Sequence, residues 1–443
     1  MKLWQKNIDS LAAVHQFTVG NDRLLDEHLA QYDVLGSLAH IQMLQSVGLL
    51  TLQEFTLLQT ALKSIYNDVT NGKFTISNDV EDVHSQIEYL LTEQLGDVGK
   101  KIHSARSRND QVLVDLKMFY RAAIEKLVSD TQSLFQLLIK LSNQHQHHLL
   151  PGYTHLQLAM PSSFGLWFGA YAESFVDDMI ALQAAYTVVN KNPLGSAAGY
   201  GSSFPINRTL TTQLLGFDDL HYNVVYAQMS RGKTERVLAS AMANIAATLS
   251  KMCMDVCLFV NQQFNFISFP EQLTTGSSIM PHKKNPDVFE LVRAHCNNIQ
   301  ALPQQVTLLT NNLPSGYQRD MQLLKMHIMP AFDQLQQCLQ MMHLMLQHIE
   351  VTPNLLENEQ YQYLFSVEAV NKLVLQGMPF RDAYKQIGTE IEQGAFSYSP
   401  VVHHTHEGSI GNLCNEQITA AMQQIVHKFN FDKVKIALQQ LIS

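Results

Sequence analysis

Five stretches of this 443-residue chain place apolar residues at alternating spacings of four and three. The first runs through Leu116, Tyr120, Ala123, Leu127, Leu134, Leu137 and Leu141, with Asp130 at its one missing step. The second runs through Phe164, Phe168, Tyr171, Phe175, Leu182, Ala185 and Val189, with Asp178 at the missing step. Leu238, Met242, Ile245, Leu249, Met252, Val256 and Phe259 form the third. The fourth is Phe289, Val292, Cys296, Ile299 and Val306, and the fifth runs from Leu324 through Ile328, Ala331, Leu335, Cys338, Met342 and Met345 to Ile349. An apolar stripe of this period lies along one side of an α-helix and must pack lengthwise on neighbours, so the pattern predicts an all-α fold built on a five-helix bundle. A helix of about 40 residues is roughly 60 Å long, more than a compact domain is wide. Further copies of the chain are therefore expected to cover the remaining faces. Pro303 and Pro330 fall inside the last two runs and predict kinks.

The flanks read differently. Thr51-Leu52-Gln53-Glu54 is a capping box opening a helix that Asn71-Gly72 closes, and Val83, Ile87, Leu90 and Leu91 mark another that Gly96 ends. From Thr352-Pro353 onward, short helices are punctuated by Gly377, Pro379, Gly394 and Gly411. Three helical domains are expected, over 1–105, 106–351 and 352–443. No series of alternating strands and no short internal repeat is visible. The net charge of −9 argues against a nucleic-acid partner, and the first nine residues, Met1 to Asp9, carry no apolar leader. No run reads as a membrane span, so a cytoplasmic protein is expected. The five cysteines form no CxxC, and Cys253 and Cys257 read as ordinary thiols on an apolar helix. His403, His404 and His406 match no standard ligand spacing, so no metal is expected.

Chemistry concentrates elsewhere. Gly276-Ser277-Ser278-Ile279-Met280-Pro281-His282-Lys283-Lys284-Asn285-Pro286-Asp287 is a small-residue loop ending on a helix, for which Asn285 and Pro286 read as cap and first turn. A helix N-terminus favours an anion, Lys283 adds a charge, and a serine placed there loses its proton more readily than in water. Arg106-Ser107-Arg108-Asn109-Asp110-Gln111 precedes the first long helix, with Asn109 or Asp110 as its cap. It reads either as a carboxylate or phosphate site or as an ordinary cap with exposed arginines. Pro151-Gly152-Tyr153-Thr154-His155-Leu156-Gln157 reads as a turn before a second helix starting near Pro161, with His155 structural or catalytic. His84, near a helix start, faces a cleft or solvent. Gln322 and Lys325, three apart, share a helix face downstream of Tyr317. Gly195-Ser196-Ala197-Ala198-Gly199-Tyr200-Gly201 lacks the strand and βαβ unit a nucleotide loop needs.

The 276–287 segment resembles the signature of the fumarase, aspartase and argininosuccinate lyase superfamily. Arg106–Gln111 and Gly152–Gln157 are similar to the argininosuccinate lyase branch. That resemblance implies reversible elimination of fumarate from argininosuccinate to leave arginine, the last step of arginine biosynthesis, in a homotetramer with sites shared between subunits and with no cofactor. It implies Ser277 as base and Lys283 and Asn285 on the carboxylate beside the acidic carbon. His155, paired with Glu290, becomes the acid, and Thr154 contacts substrate. Arg106, Ser107, Arg108, Asn109, His84, Ser230, Arg231, Tyr317, Gln322 and Lys325 bind the rest, although Gly232 stands where an acid usually follows Ser230-Arg231. The 195–201 segment resembles the family's crossover between its second and third bundle helices. Two residues depart from the family. Asp22 stands where a substrate-binding serine is usual, and can hold an ammonium but repels a carboxylate. His282 replaces a common glutamine, from which an altered pH dependence is expected. The readings left open are a sister lyase acting on adenylosuccinate, malate or aspartate, and a crystallin-like structural protein.

Overall fold

Burial follows the heptad stripes closely. Every stripe residue is in the core except Phe259 and Ile349, which are half-buried. The computed structural model describes residues 12–443, and the start of the chain read above for a leader lies outside them. Before the bundle come α1 (Ala12–Val19), α2 (Asp22–Glu27), α3 (Ala30–Ser46), α4 (Leu52–Thr70), α5 (Val83–Leu95) and α6 (Asp97–Lys100). The bundle itself holds α7 (Arg108–Gln144), α8 (Phe164–Val189), α10 (Val224–Phe259), α11 (Asp287–Gln300), α12 (Leu302–Leu309) and α13 (Leu324–Leu346), with the short α9 (Arg208–Leu214) in the crossover. After it come α14 (Ser366–Leu375), α15 (Phe380–Glu392), α16 (Asn415–His427) and α17 (Phe431–Ile442). One continuous core joins α3, α4, α5, the bundle, α16 and α17, while Val370, Ala383 and Ile387 centre a small separate one between α14 and α15.

Several boundaries differ from the sequence reading. The fourth run is split at Ala301, where Pro303 sits in the first turn of α12, whereas Pro330 is contained within an unbroken α13. Ser107, and neither Asn109 nor Asp110, caps α7; Asp110 completes its capping box. Residues 149–163 form an antiparallel hairpin, β1 (Leu149–Thr154) with β2 (Gln157–Ser163), so Pro161 lies in a strand and α8 starts at Phe164. Its two-residue tip, His155 and Leu156, has φ of 53° and 57°, the twist a tight hairpin demands, adopted here without glycine or asparagine. Asn285 does not cap α11; Lys284–Asn285 pairs instead with Thr275–Gly276. One correction concerns membranes: α10 is long and apolar enough by composition to span one. Its stripe, from Leu238 to Val256, is buried among its neighbours in the bundle.

The acids at the missing heptad steps are tied down. Asp130 accepts from the Gln340 amide (3.1 Å), and the buried Asp178 accepts from Thr248 Oγ1 (2.7 Å). Polar anchors also fix the crossover. Asp110 accepts from the N–H of Ser107 (2.8 Å), Gly195 (2.9 Å) and Ala197 (2.9 Å), which ties the glycine-rich segment to the start of α7. Arg121 donates to Asn190 Oδ1 and the Leu215 carbonyl and lies 4.0 Å over the Phe217 ring.

α10 is kinked at Arg231, whose ψ is 136°, and at Gly232, whose φ is +83°. The Gly232 N–H donates to Glu235, which also accepts from the Tyr120 hydroxyl (3.1 Å). A Cβ at Gly232 meets Thr310 Cγ2 at 2.7 Å. Gly232→Ala is therefore expected to cost about 1–3 kcal/mol, measured by urea unfolding. Burial raises the Asp178 carboxyl to about 6. A folded-state value above the unfolded one gives stability that is present below about pH 4 and lost as pH rises through 6. Asp178→Asn removes that loss, so it should gain about 1–3 kcal/mol over wild type at pH 8 and little at pH 4.

Candidate active site

The start of α13, the kink of α10, the start of α7 and the α1–α2 turn meet around a polar cavity of about 170 Å³. Eight of the residues singled out from sequence line it: Asp22, His84, Arg108, Asn109, Arg231, Tyr317, Gln322 and Lys325. Lys325 is buried between Asp22 (2.7 Å) and Asp26 (2.5 Å). Burial works against its charge, but the two carboxylates outweigh this and raise its pKa. Burial also raises the Asp22 carboxyl, with Lys325 pulling the other way. Arg108 is likewise occupied, by Glu81 (3.3 Å), Asp82 (3.1 Å) and Ser85 Oγ (2.9 Å). Arg231 donates to the Met321 carbonyl (3.1 Å) and sits 5.4 Å from the Tyr317 ring centroid. Gln322 donates to the Thr18 carbonyl (3.0 Å). Four acids and four bases thus face one small volume, an arrangement matched to a ligand that itself carries both signs.

Three sequence candidates lie behind the cavity and not in it. Ser107 is the cap of α7, and the Ser230 hydroxyl donates to the Ala227 carbonyl (2.7 Å). Arg106 donates to Ser37 Oγ (2.9 Å), beneath the floor. There His84 Nδ1 is hydrogen-bonded to Asp33, with Asp115 Oδ2 3.6 Å away. Burial lowers the imidazole pKa, but Asp33, Asp82 and Asp26 outweigh it and the net shift is upward. Asp33, His84 and Asp115 have the identities of metal ligands, with atoms within 4.8 Å of one another. They do not fit one, because Nδ1 is already engaged and Arg106 supplies the positive charge the acids need.

The segments read from sequence as reactive lie at the other end of the bundle. His282, Lys284 and Asn285 border a second cavity with Val260 and Met345. Lys325 and Met345 are 20 residues apart on α13, or about 30 Å, and Arg231 lies about 40 Å along α10 from Val260. Ser277, half-buried, accepts from the N–H of Met280 (3.1 Å), and Lys283 is exposed. The hairpin leading to Thr154 and His155 is held at this end too, by Tyr153 stacked on Phe264 with centroids 5.6 Å apart. His155 and Glu290 are both exposed and share no hydrogen bond within the protomer.

Residues 12–301 match the family model described as lyase. The chain is 61% identical over 441 residues to the argininosuccinate lyase of Parabacteroides distasonis, covering 100% of this chain and 99% of that one. It is 37% identical to that of Thermotoga neapolitana over 386 residues, 87% of this chain and 97% of the relative.

The chain belongs to the argininosuccinate lyase family.

It is thus a carbon–nitrogen lyase, as the resemblance implied, and the sister-lyase and crystallin readings are not favoured. Solved structures agree on the fold. A formate complex of EDDS lyase superposes with a TM-score of 0.77 at 21% identity, over 98% of this chain and 95% of that one. The fumarate lyase:delta crystallin of Brucella melitensis in native form gives 0.69 at 18%, over 86% and 93%.

Asp26, Glu81, Asp82 and Arg319 also line this cavity and were not singled out from sequence. Asp26 was findable, since it lies four residues after Asp22 and so on the same helix face. Arg319 donates to the Thr18 carbonyl (3.0 Å) and Glu81 (3.0 Å), tying α1 to the start of α13. Removing the cation between two acids leaves buried charge uncompensated. Lys325→Ala should therefore cost about 3–5 kcal/mol in urea unfolding, and much less in an Asp26→Asn background.

Proposed function

We propose that this enzyme cleaves argininosuccinate into arginine and fumarate at a site assembled from several copies of the chain. The observation that carries the shared site is the separation of roughly 30 Å between the polar cavity and the 276–287 loop along the rigid α13. Exposed apolar residues on the outer faces of the bundle support association, among them Ile180, Met254, Leu291, Leu308, Met341 and Leu344. A homotetramer with merged bundles is the assembly we infer, each subunit divided into the segments 1–105, 106–351 and 352–443. A small-molecule substrate and a cytoplasmic location accord with that reading.

In this scheme the polar cavity takes the arginine part. Asn109, His84 and Tyr317 are the neutral or partly free donors there, and Asp22 meets the ammonium group, a role an aspartate fills where serine is usual in the family. Arg106 and Ser107 support the cavity from behind and Arg231 orients Tyr317. The other reactants come from neighbouring copies. Ser277, as alkoxide, removes the proton from the carbon next to a succinyl carboxylate. Lys283, Asn285 and the loop N–H groups hold the resulting dianion, which is too costly without preorganised positive groups. The C–N bond then breaks, its electron pair goes to the guanidino nitrogen, and His155 supplies that nitrogen with a proton. Thr154 positions the carboxylate, and Glu290 of another copy orients His155.

The test is fumarate absorbance after adding argininosuccinate, with adenylosuccinate, malate and aspartate in parallel. Fumarate is expected from argininosuccinate alone. Ser277→Ala should lose at least about a thousandfold in kcat/KM. Mixing that inactive variant with an inactive Tyr317→Ala and Gln322→Ala double variant, after dissociation and reassembly, should restore part of the activity. Mixed oligomers then contain sites that combine an intact loop with an intact cavity. No recovery in verified mixed oligomers overturns the shared site.

A further inference from the structure

Beneath the cavity floor the chain buries more negative charge than the proposed reaction uses. Asp33 on α3 and Asp115 on α7 are 2% and 1% exposed. Asp33 is well supplied, with His84 Nδ1 on Oδ2 and Ser37 Oγ 3.5 Å from Oδ1. Asp115 is not: both of its oxygens are buried, and neither has a hydrogen-bond donor. Asp33 and His84 lie close to it, the polar atoms of the three groups being within 4.8 Å of one another. Two buried carboxyls this close hold one proton between them. The one that receives no donors is the one that keeps it.

We propose that Asp115 is a positioning residue that acts as a neutral carboxyl, donating its O–H to the Asp33 carboxylate so that Asp33 holds His84 as an imidazolium in the cavity floor. Burial and the neighbouring Asp33 both push Asp115 well up, while Asp33, against its own burial, is held down by His84 and Arg106. The charged groups around His84 are then accounted for. Asp33 faces it from α3, Asp115 from α7 and Arg106 from the segment before α7; Asp82 caps its own helix and is paired with Arg108, and Asp26 comes from α2 and is paired with Lys325. Among the described residues none hydrogen-bonds to His84 Nε2, and the side chain lines the cavity. A cationic ring therefore offers an N–H to an anionic group of the ligand, at a place where Arg108 and Lys325 are already paired with acids. This rests on the proposed reading that the cavity binds the arginine part.

The test compares Asp115→Asn, Asp115→Leu and Asp33→Asn with wild type, using kcat/KM from about pH 5.5 to 9 and the NMR titration of the His84 ring, assigned with His84→Gln. Asparagine has the shape and hydrogen-bonding of a neutral carboxyl. Asp115→Asn should thus leave kcat/KM within about threefold and the His84 titration unmoved. Asp115→Leu and Asp33→Asn should each lower the His84 titration, the latter by about a unit or more, and the alkaline limb of kcat/KM should follow it downward. If Asp115→Asn instead lowers the His84 titration as Asp33→Asn does, Asp115 is ionised and the proposal fails. Infrared spectra of the wild type provide a check that needs no variant to fold. A protonated-carboxyl band persisting at about pH 8 is expected, above the titration of Asp110 and Asp178 near 6, and its absence overturns the assignment. The NMR and infrared readouts need no turnover, so inactivity of the wild type on argininosuccinate counts against the proposed function and not against this pairing.

Discussion

Long helices packed along a continuous apolar stripe cannot bend to bring their ends together. In α10 and α13 the stripe residues from Leu238 to Val256 and from Leu324 to Met345 are almost entirely excluded from solvent, and each helix is fixed along its whole length. Bending such a helix enough to close a gap of about 30 Å would expose most of that stripe. The chain therefore holds two polar regions apart, a charged cavity at one end and a serine-bearing loop with a histidine-tipped hairpin at the other. Their separation follows from the same burial that stabilises the bundle.

The two ends are built differently for the same reason. At the cavity end, nearly every charge is tied to another: Lys325 to Asp22 and Asp26, Arg108 to Glu81 and Asp82, Arg319 to Glu81 and Thr18. Such a network is rigid, because moving one member strands its partner in a poor dielectric. At the loop end Ser278, Ile279, Met280 and Lys283 are exposed, and Thr275–Gly276 with Lys284–Asn285 is a bridge of two residues on each side. Such a loop can take a different shape against a neighbouring copy at small cost.

Sequence alone revealed the bundle because burial and period are the same signal: a residue every 3.5 positions is either in the core or has no reason to be apolar. It singled out the segments 276–287 and 152–157 because their residues are adjacent in the chain. The hairpin at 149–163 escaped because Pro151 and Pro161 read as breakers and His155-Leu156 carries none of the usual turn residues. The cap of α7 was misplaced by two or three residues because Ser107, Asn109 and Asp110 are all competent caps, and only the tertiary use of Asp110 by Gly195 and Ala197 separates them. Asp33 and Asp115 were invisible for a deeper reason. Each sits on a helix whose neighbouring turns are apolar, and they meet only through the packing of α3 on α7, with Gly36 at the contact beside Val114 and Asp115.

That close approach also bears on the departure at Asp22. A serine there would leave Lys325 and Asp26 as a one-to-one pair with no net charge. With aspartate the lysine is shared by two acids and this wall turns net negative, while across the cavity Asp33 favours the charged form of His84 against its burial. The aspartate thus makes the α2 wall the negative one. An ammonium group is favoured near α2, and an anionic group near His84 and Asn109. A ligand with both groups on one carbon, as in the amino-acid end of arginine, would be oriented by that difference.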